Sequence, residues 1–227
     1  MALQKVLEDI SDENQSIVCL GDVAWGGPQP SEVIAVLRKL GCPVVMGNTD
    51  EVLIGTRVEN PKRPDAAKMK EIGEWCMSIL SSSDRSFIKN FKPTVKVDLR
   101  GEQLLCYHGS PRSNIEGILA LTDDKILGRI VVGHPERFFA GGHTHIQMAR
   151  RYVDKIIINP GSVGLPFEVA GKKGARNPTW AEYAIINYDD GNLNVSLKRV
   201  EYDVRELKES VYESGIPHKD WWIKDWK

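Results

Sequence analysis

Leu3, Val6, Leu7 and Ile10 recur at helical spacing, so the chain opens in an amphipathic helix over residues 2–10. The apolar run Ser16-Ile17-Val18-Cys19-Leu20 predicts a buried strand that stops at Gly21-Asp22. A Gly/Pro-rich loop over 25–30 leads to a second helical pattern on Val33, Val36, Leu37 and Leu40, with Ser31 as its expected cap. Pro43-Val44-Val45-Met46 predicts a second strand, ending in Gly47-Asn48-Thr49-Asp50. Residues 64–80 carry a helical stripe of Ala67, Ile72, Trp75, Cys76, Ile79 and Leu80, and Ser83 or Asp84 is expected to start a short helix to Phe91. Alternation over 94–98 and 103–107 around Arg100-Gly101-Glu102 predicts a hairpin whose second strand ends in His108-Gly109-Ser110-Pro111. Thr122-Asp123-Asp124 reads as a helix N-terminus. The apolar Phe138-Phe139-Ala140 leads into Gly141-Gly142-His143-Thr144-His145. Strand patterns follow at 155–158, 182–187 and 193–199, the last two joined by a turn at 189–192, and a charged amphipathic helix starts near Asp203. Trp221, Trp222 and Trp226 close the chain, as cover for the sheet or as an interface patch with a second copy.

Four strand ends carry a polar residue beside glycine: Gly21-Asp22, Gly47-Asn48, His108-Gly109 and Gly142-His143. Singly, each reads as a turn, because Asp and Asn favour turns through their own local hydrogen bonds. His143 and His145 alone would fit a strand-end turn with two solvated rings equally well. Together the four make a donor set of carboxylate, amide oxygen and imidazole at the carboxyl ends of strands, where α/β sheets place ligands. In an extended segment His143 and His145 point the same way. Mixed oxygen and imidazole donors suit Mn, Fe, Zn or Ni better than Ca or a thiolate-type zinc site.

Composition narrows the class. The chain has 227 residues, 41% apolar and 27% charged, an ordinary globular balance. A net charge of −1 gives no basic field for nucleic acid or an anionic membrane. Four scattered cysteines, Cys19, Cys42, Cys76 and Cys106, form no Cys-x-x-Cys pair and point to a reducing compartment. No apolar run is long enough to span a bilayer, and a cytoplasmic protein is expected. Without repeats, low-complexity tracts or a linker, residues 1–227 read as a single domain.

In order along the chain, Gly21-Asp22, Gly47-Asn48-x-Asp50, His108 and Gly142-His143-x-His145 resemble the motifs of the calcineurin-like metallophosphoesterase superfamily. Gly27-Pro28-x-Pro30-Ser31-Glu32-Val33, His108-Gly109-Ser110-Pro111 and Asn159-Pro160-Gly161-Ser162-Val163-Gly164 are similar to its small bacterial and archaeal phosphodiesterase branch. The resemblance implies a four-layer α/β/β/α sandwich with a dinuclear site of divalent transition metals at one edge. It also implies hydrolysis of a small phosphoester or nucleotide. Asp22 would bridge two ions, Asn48, His108 and His143 would complete one site, and His145 would ligate the other. Asp22, Asn48 and His108 are the expected catalytic set.

Two departures stand out. Members of the family begin with a strand ending in Asp-x-His that ligates the first metal. This chain opens in the helix that follows that strand and has no Asp-x-His anywhere. Of that metal's implied ligands, Asp22 and His145 remain, with Asp220 and His218 as substitutes to consider. A coding start assigned too late is the simplest account. Thr49 stands where many relatives have a histidine after the asparagine; its hydroxyl can donate a hydrogen bond but is a poor general acid. The competing expectation is a non-catalytic scaffold of the same fold, as in the phosphoesterase-like subunit of retromer. Asp50 reads as support for a histidine ligand or as a helix cap. Ser162 reads as a turn and His134 as a loop residue. Lys172, Lys173 and Arg176 form a small basic loop, either solvated or facing phosphate.

Overall fold

The computed structural model describes residues 1–10, 15–58, 65–169 and 175–226. In chain order come α1 (Ala2–Asp9), α2 (Pro30–Leu40), α3 (Asn48–Leu53), α4 (Ala66–Ile79), α5 (Ser82–Ile88), β1 (Thr94–Leu99), β2 (Glu102–Tyr107), α6 (Asp124–Val131), β3 (Phe138–Ala140), β4 (Met148–Tyr152), β5 (Lys155–Asn159), β6 (Glu168–Val169), β7 (Ala175–Arg176), β8 (Trp180–Asp189), β9 (Asn192–Glu201), α7 (Val204–Ser214) and α8 (Lys219–Ile223). A five-stranded mixed sheet has the order β1-β2-β3-β5-β4, in which β2, β3 and β5 run parallel. The long β8–β9 hairpin forms a second sheet, closed at Asp190-Gly191, and β6–β7 is a short pair.

Period-two alternation sorts side chains into layers. Leu105, Tyr107 and Phe139 face α6, packing on Leu127, Ile130 and Val131. Their neighbours Leu104, Cys106, Phe138 and Ala140 face the other way, onto Val18, Leu20, Val45, Ile186 and Leu193. Beyond that second layer, Val44, Ala181 and Tyr183 pack against side chains from α1, α2, α4 and α7. Three cores between four layers give the expected α/β/β/α arrangement, and the mixed α/β class with a central sheet stands.

Several local expectations change. Residues 16–20 and 43–46 do not form full strands. They make the single parallel bridges Cys19↔Val44 and Val45↔Lys92, because Pro43 has no N–H to extend the ladder. Ser31 lies inside α2, which starts at Pro30, where a missing N–H costs nothing. Ser81, rather than Ser83 or Asp84, caps α5: its hydroxyl accepts from the Asp84 N–H while the Asp84 carboxylate accepts from the Ser81 N–H. The tail tryptophans turn inward. Trp226 is buried, and the Trp222 indole donates to the Gly26 carbonyl at 2.6 Å.

Candidate metal centre

Three neighbouring parallel strands end at one edge. His108 follows β2, Gly141–His143 follow β3, and Asn159 ends β5. The bridged segments beside them deliver Asp22 and Asn48 to the same edge. Asp22, His143 and His145 have φ of 57°, 64° and 57°, in the left-handed region that side chains seldom occupy. Such conformations persist where surrounding contacts over-determine them, and those contacts are identifiable.

Asp50 supplies the first set. It is fully buried and accepts from the backbone N–H groups of Asp22 (2.8 Å), Gly47 (2.9 Å) and Val23 (2.9 Å). It therefore serves the cap reading: one carboxylate pins both turns and, among the described residues, hydrogen-bonds to no histidine. Burial pushes its carboxyl up to about 6, with repulsion from Asp22 adding to the rise against these three donors. Gly47 is required here, since a Cβ would sit 2.1 Å from Asp22 Oδ1.

Asn159 supplies the second set, and the sequence reading missed its role. Its amide donates to the Gly142 carbonyl (2.7 Å) and the Thr144 hydroxyl (3.0 Å), and its Oδ1 accepts from the Gly161 N–H (2.9 Å). The histidine loop is thereby clamped to the Asn-Pro-Gly turn. The available signal was the placement of an asparagine at the carboxyl end of β5, parallel to the strand bearing the histidines.

Ligand atoms of Asp22, His108 and His143 lie within 4.8 Å of one another. His108 Nε2 is 3.1 Å from Asp22 Oδ2 but misaligned for a hydrogen bond, and Asn48 Oδ1 is likewise buried without a partner. Donors crowded together yet not bonded to each other suit a cation shared between them. Burial opposes charge on His108, but the adjacent Asp22 carboxylate and the Leu20 carbonyl outweigh it and raise its pKa. For Asp22, burial is likewise outweighed, by His108 and the Thr49 N–H, and its pKa falls. His143 and His145 shift downward, chiefly through burial, which keeps both rings in the neutral form that binds metals.

His145 stands apart from the trio. Its Nδ1 meets the Leu165 carbonyl at 2.7 Å and its ring stacks on Phe167. The suggested substitutes are engaged elsewhere: His218 with Glu71 and Asp220 with Tyr212. His134 sits before β3, at the opposite end from His143, 3.7 Å from Glu136. Ser162 is a turn residue, its hydroxyl accepting from the Leu165 N–H. Lys172 and Lys173 lie outside the described residues, and Arg176 pairs with Glu168.

The sequence profile of the calcineurin-like phosphoesterase superfamily domain matches residues 1–191. The chain belongs to that superfamily. A metallophosphoesterase from Sphaerobacter thermophilus is 25% identical, with a TM-score of 0.76 over 99% of this chain and 92% of that one. A hypothetical protein, PH1004, from Pyrococcus horikoshii is 19% identical and shares the fold, with a TM-score of 0.78 over 98% and 91% of the two chains. The uncharacterized protein MJ0912 of Methanocaldococcus jannaschii is 26% identical, covering 95% of this chain and 88% of its own length. Phosphoesterases of this superfamily are hydrolases that use divalent metals, and the Asp22–His108–His143 group has the donor chemistry for such an ion. No helix among the described residues is long and apolar enough to cross a membrane.

Proposed function

We propose that the protein is a metal-dependent phosphoric ester hydrolase, a phosphodiesterase or phosphatase acting on a small phosphoester or nucleotide. The reading rests on the convergence of one carboxylate and two imidazoles within 4.8 Å, in a chain of the phosphoesterase superfamily. Asp22, Asn48, His108 and His143 would hold one divalent ion, and Asp22 with His145 would serve a second. Manganese fits this oxygen and nitrogen donor set. Ions held there would supply charge to the phosphoryl oxygens and a water of lowered pKa. The chain's own work is placement. Asp50 fixes the Asp22 and Asn48 turns, and Asn159 fixes the histidine loop. Cys19, Cys42, Cys76 and Cys106 are all free thiols, which suits the cytoplasm.

Elemental analysis paired with hydrolysis of bis(p-nitrophenyl) phosphate in Mn²⁺ tests the reading. Bound metal with turnover is expected, and Asn48→Ala or His143→Ala should cut turnover by orders of magnitude. Unchanged turnover in either variant would sink the assignment. One observation favours a second reading, a scaffold that holds an ion without turnover. Among the described residues a single three-donor group forms, and His145 is not part of it. Metal bound at one per chain, with no hydrolysis, would establish it.

A further inference from the structure

Both imidazoles of the His-x-His loop are bordered by apolar side chains that reach solvent. The Phe167 ring lies nearly parallel to His145, with centroids 5.2 Å apart at 12°, and is 40% exposed. One face is therefore covered by the histidine while part of the ring remains open. Phe167 is not on a loose end. Leu165 accepts from His145, the Leu165 N–H donates to Ser162, and the Pro166 carbonyl accepts from Asn177. At His143, the Ile115 backbone adjoins the ring, and Ile115 is 55% exposed. Gly117 comes so close that a Cβ there would sit 3.0 Å from the Thr144 methyl. Ile146, next to His145, is also exposed. Arg112, on the loop that carries Ile115, pairs with Glu116, and Arg176 in β7 pairs with Glu168 beside Phe167. Among the described residues, Phe167, Ile115 and Ile146 thus offer apolar surface beside the histidine loop. Apolar surface of this kind, with an exposed ring in it, suits a flat ester group.

We propose that Phe167 is a specificity platform that stacks a flat aromatic arm of a phosphodiester substrate, aryl or nucleobase. The proposal rests on the hydrolase reading and names the substrate class for that site. Exposed aromatic rings are effective stacking surfaces because every planar ring offers a π-face.

The test compares binding of phenylphosphonate and methylphosphonate, neither of which is hydrolysed, by calorimetry on the Mn²⁺-loaded protein. Wild type should bind phenylphosphonate on the order of tenfold more tightly, the size expected of one aromatic stack. Phe167→Ala should bring the ratio toward one, Phe167→Leu should lower it while keeping apolar bulk, and Phe167→Tyr should retain it. A ratio near one in wild type, or an undiminished ratio in Phe167→Ala and Phe167→Leu, overturns the platform. If methylphosphonate binding and aryl phosphodiester turnover persist in that case, the hydrolase reading stands without it. Loss of metal together with both phosphonates in the two apolar variants would assign Phe167 to holding His145 and also overturn the platform. Failure of wild type to bind either phosphonate, without turnover, would overturn both readings.

Discussion

The side chains that give the centre its shape are not all ones that would touch a metal. Asp50 accepts three backbone N–H groups at the bases of two turns. In Asp50→Ala those donors lose their acceptor inside the protein, and a buried unsatisfied donor costs about 1–3 kcal/mol. A loss of at least ~3 kcal/mol in urea denaturation is expected, with weakened metal binding. A change under 1 kcal/mol would show that water replaces the carboxylate. Gly47→Ala adds a clash: its Cβ would meet Asp22 Oδ1 at 2.1 Å and the Asp22 backbone nitrogen at 2.4 Å, so both the carboxylate and the turn must move. Metal affinity should fall at least tenfold, and stability should fall with it, because the Asp22 turn that Asp50 holds is displaced as well. In the sequence, residues such as Asp22 and His143 can be singled out because each follows glycine at the end of an apolar run. Asp50 leaves two roles open, because a carboxylate at the third position of a helix looks the same whether it caps backbone or braces a histidine. Asn159 goes unnoticed because its partners, Gly142 and Thr144, come near only once β3 and β5 pair.

At the scale of elements, periodicity marked most helices and strands but not their starts. The first turn of α5 shows why. Ser81, Ser82, Ser83 and Asp84 are all capable caps, and only the reciprocal bonds between Ser81 and Asp84 decide which one serves. Ser81→Ala should cost about 1 kcal/mol. The Ser81 hydroxyl, the nearby Ser81 N–H and Arg38 hold the Asp84 carboxyl below its ordinary value of 3.8 despite partial burial. Its stabilisation is therefore present above that value and lost as pH falls through the lower folded one. The stability gap between wild type and Ser81→Ala should narrow below about pH 4, measured by denaturation at stepped pH. A constant gap would mean the carboxylate takes no part. Residues 16–20 and 43–46 illustrate the opposite limit. Their apolar runs fit strands, yet each makes only a bridge, since pairing depends on what lies alongside and on the N–H that Pro43 lacks.

Across the whole molecule, the centre joins two layers that otherwise meet through apolar packing. Asp22 and Asn48 follow segments whose Val18, Leu20 and Val45 face the inter-sheet core from the β8–β9 side. His108 and His143 follow strands of the five-stranded sheet, which face that core from the other side. An ion held by all four would tie the layers together, and the unfolded chain would offer no such site. Binding to the native state alone stabilises by about 2.7 kcal/mol at a hundredfold excess over Kd. At roughly 2–4 °C per kcal/mol for a chain of this size, Mn²⁺ should raise Tm by about 5–11 °C. Chelation should reverse the rise and His143→Ala should remove most of it. The expected transition stays single, because ligands from both layers make the gain global, not confined to one loop. A rise of the same size in His143→Ala would place the ion elsewhere, and a split transition would show that the two layers unfold separately.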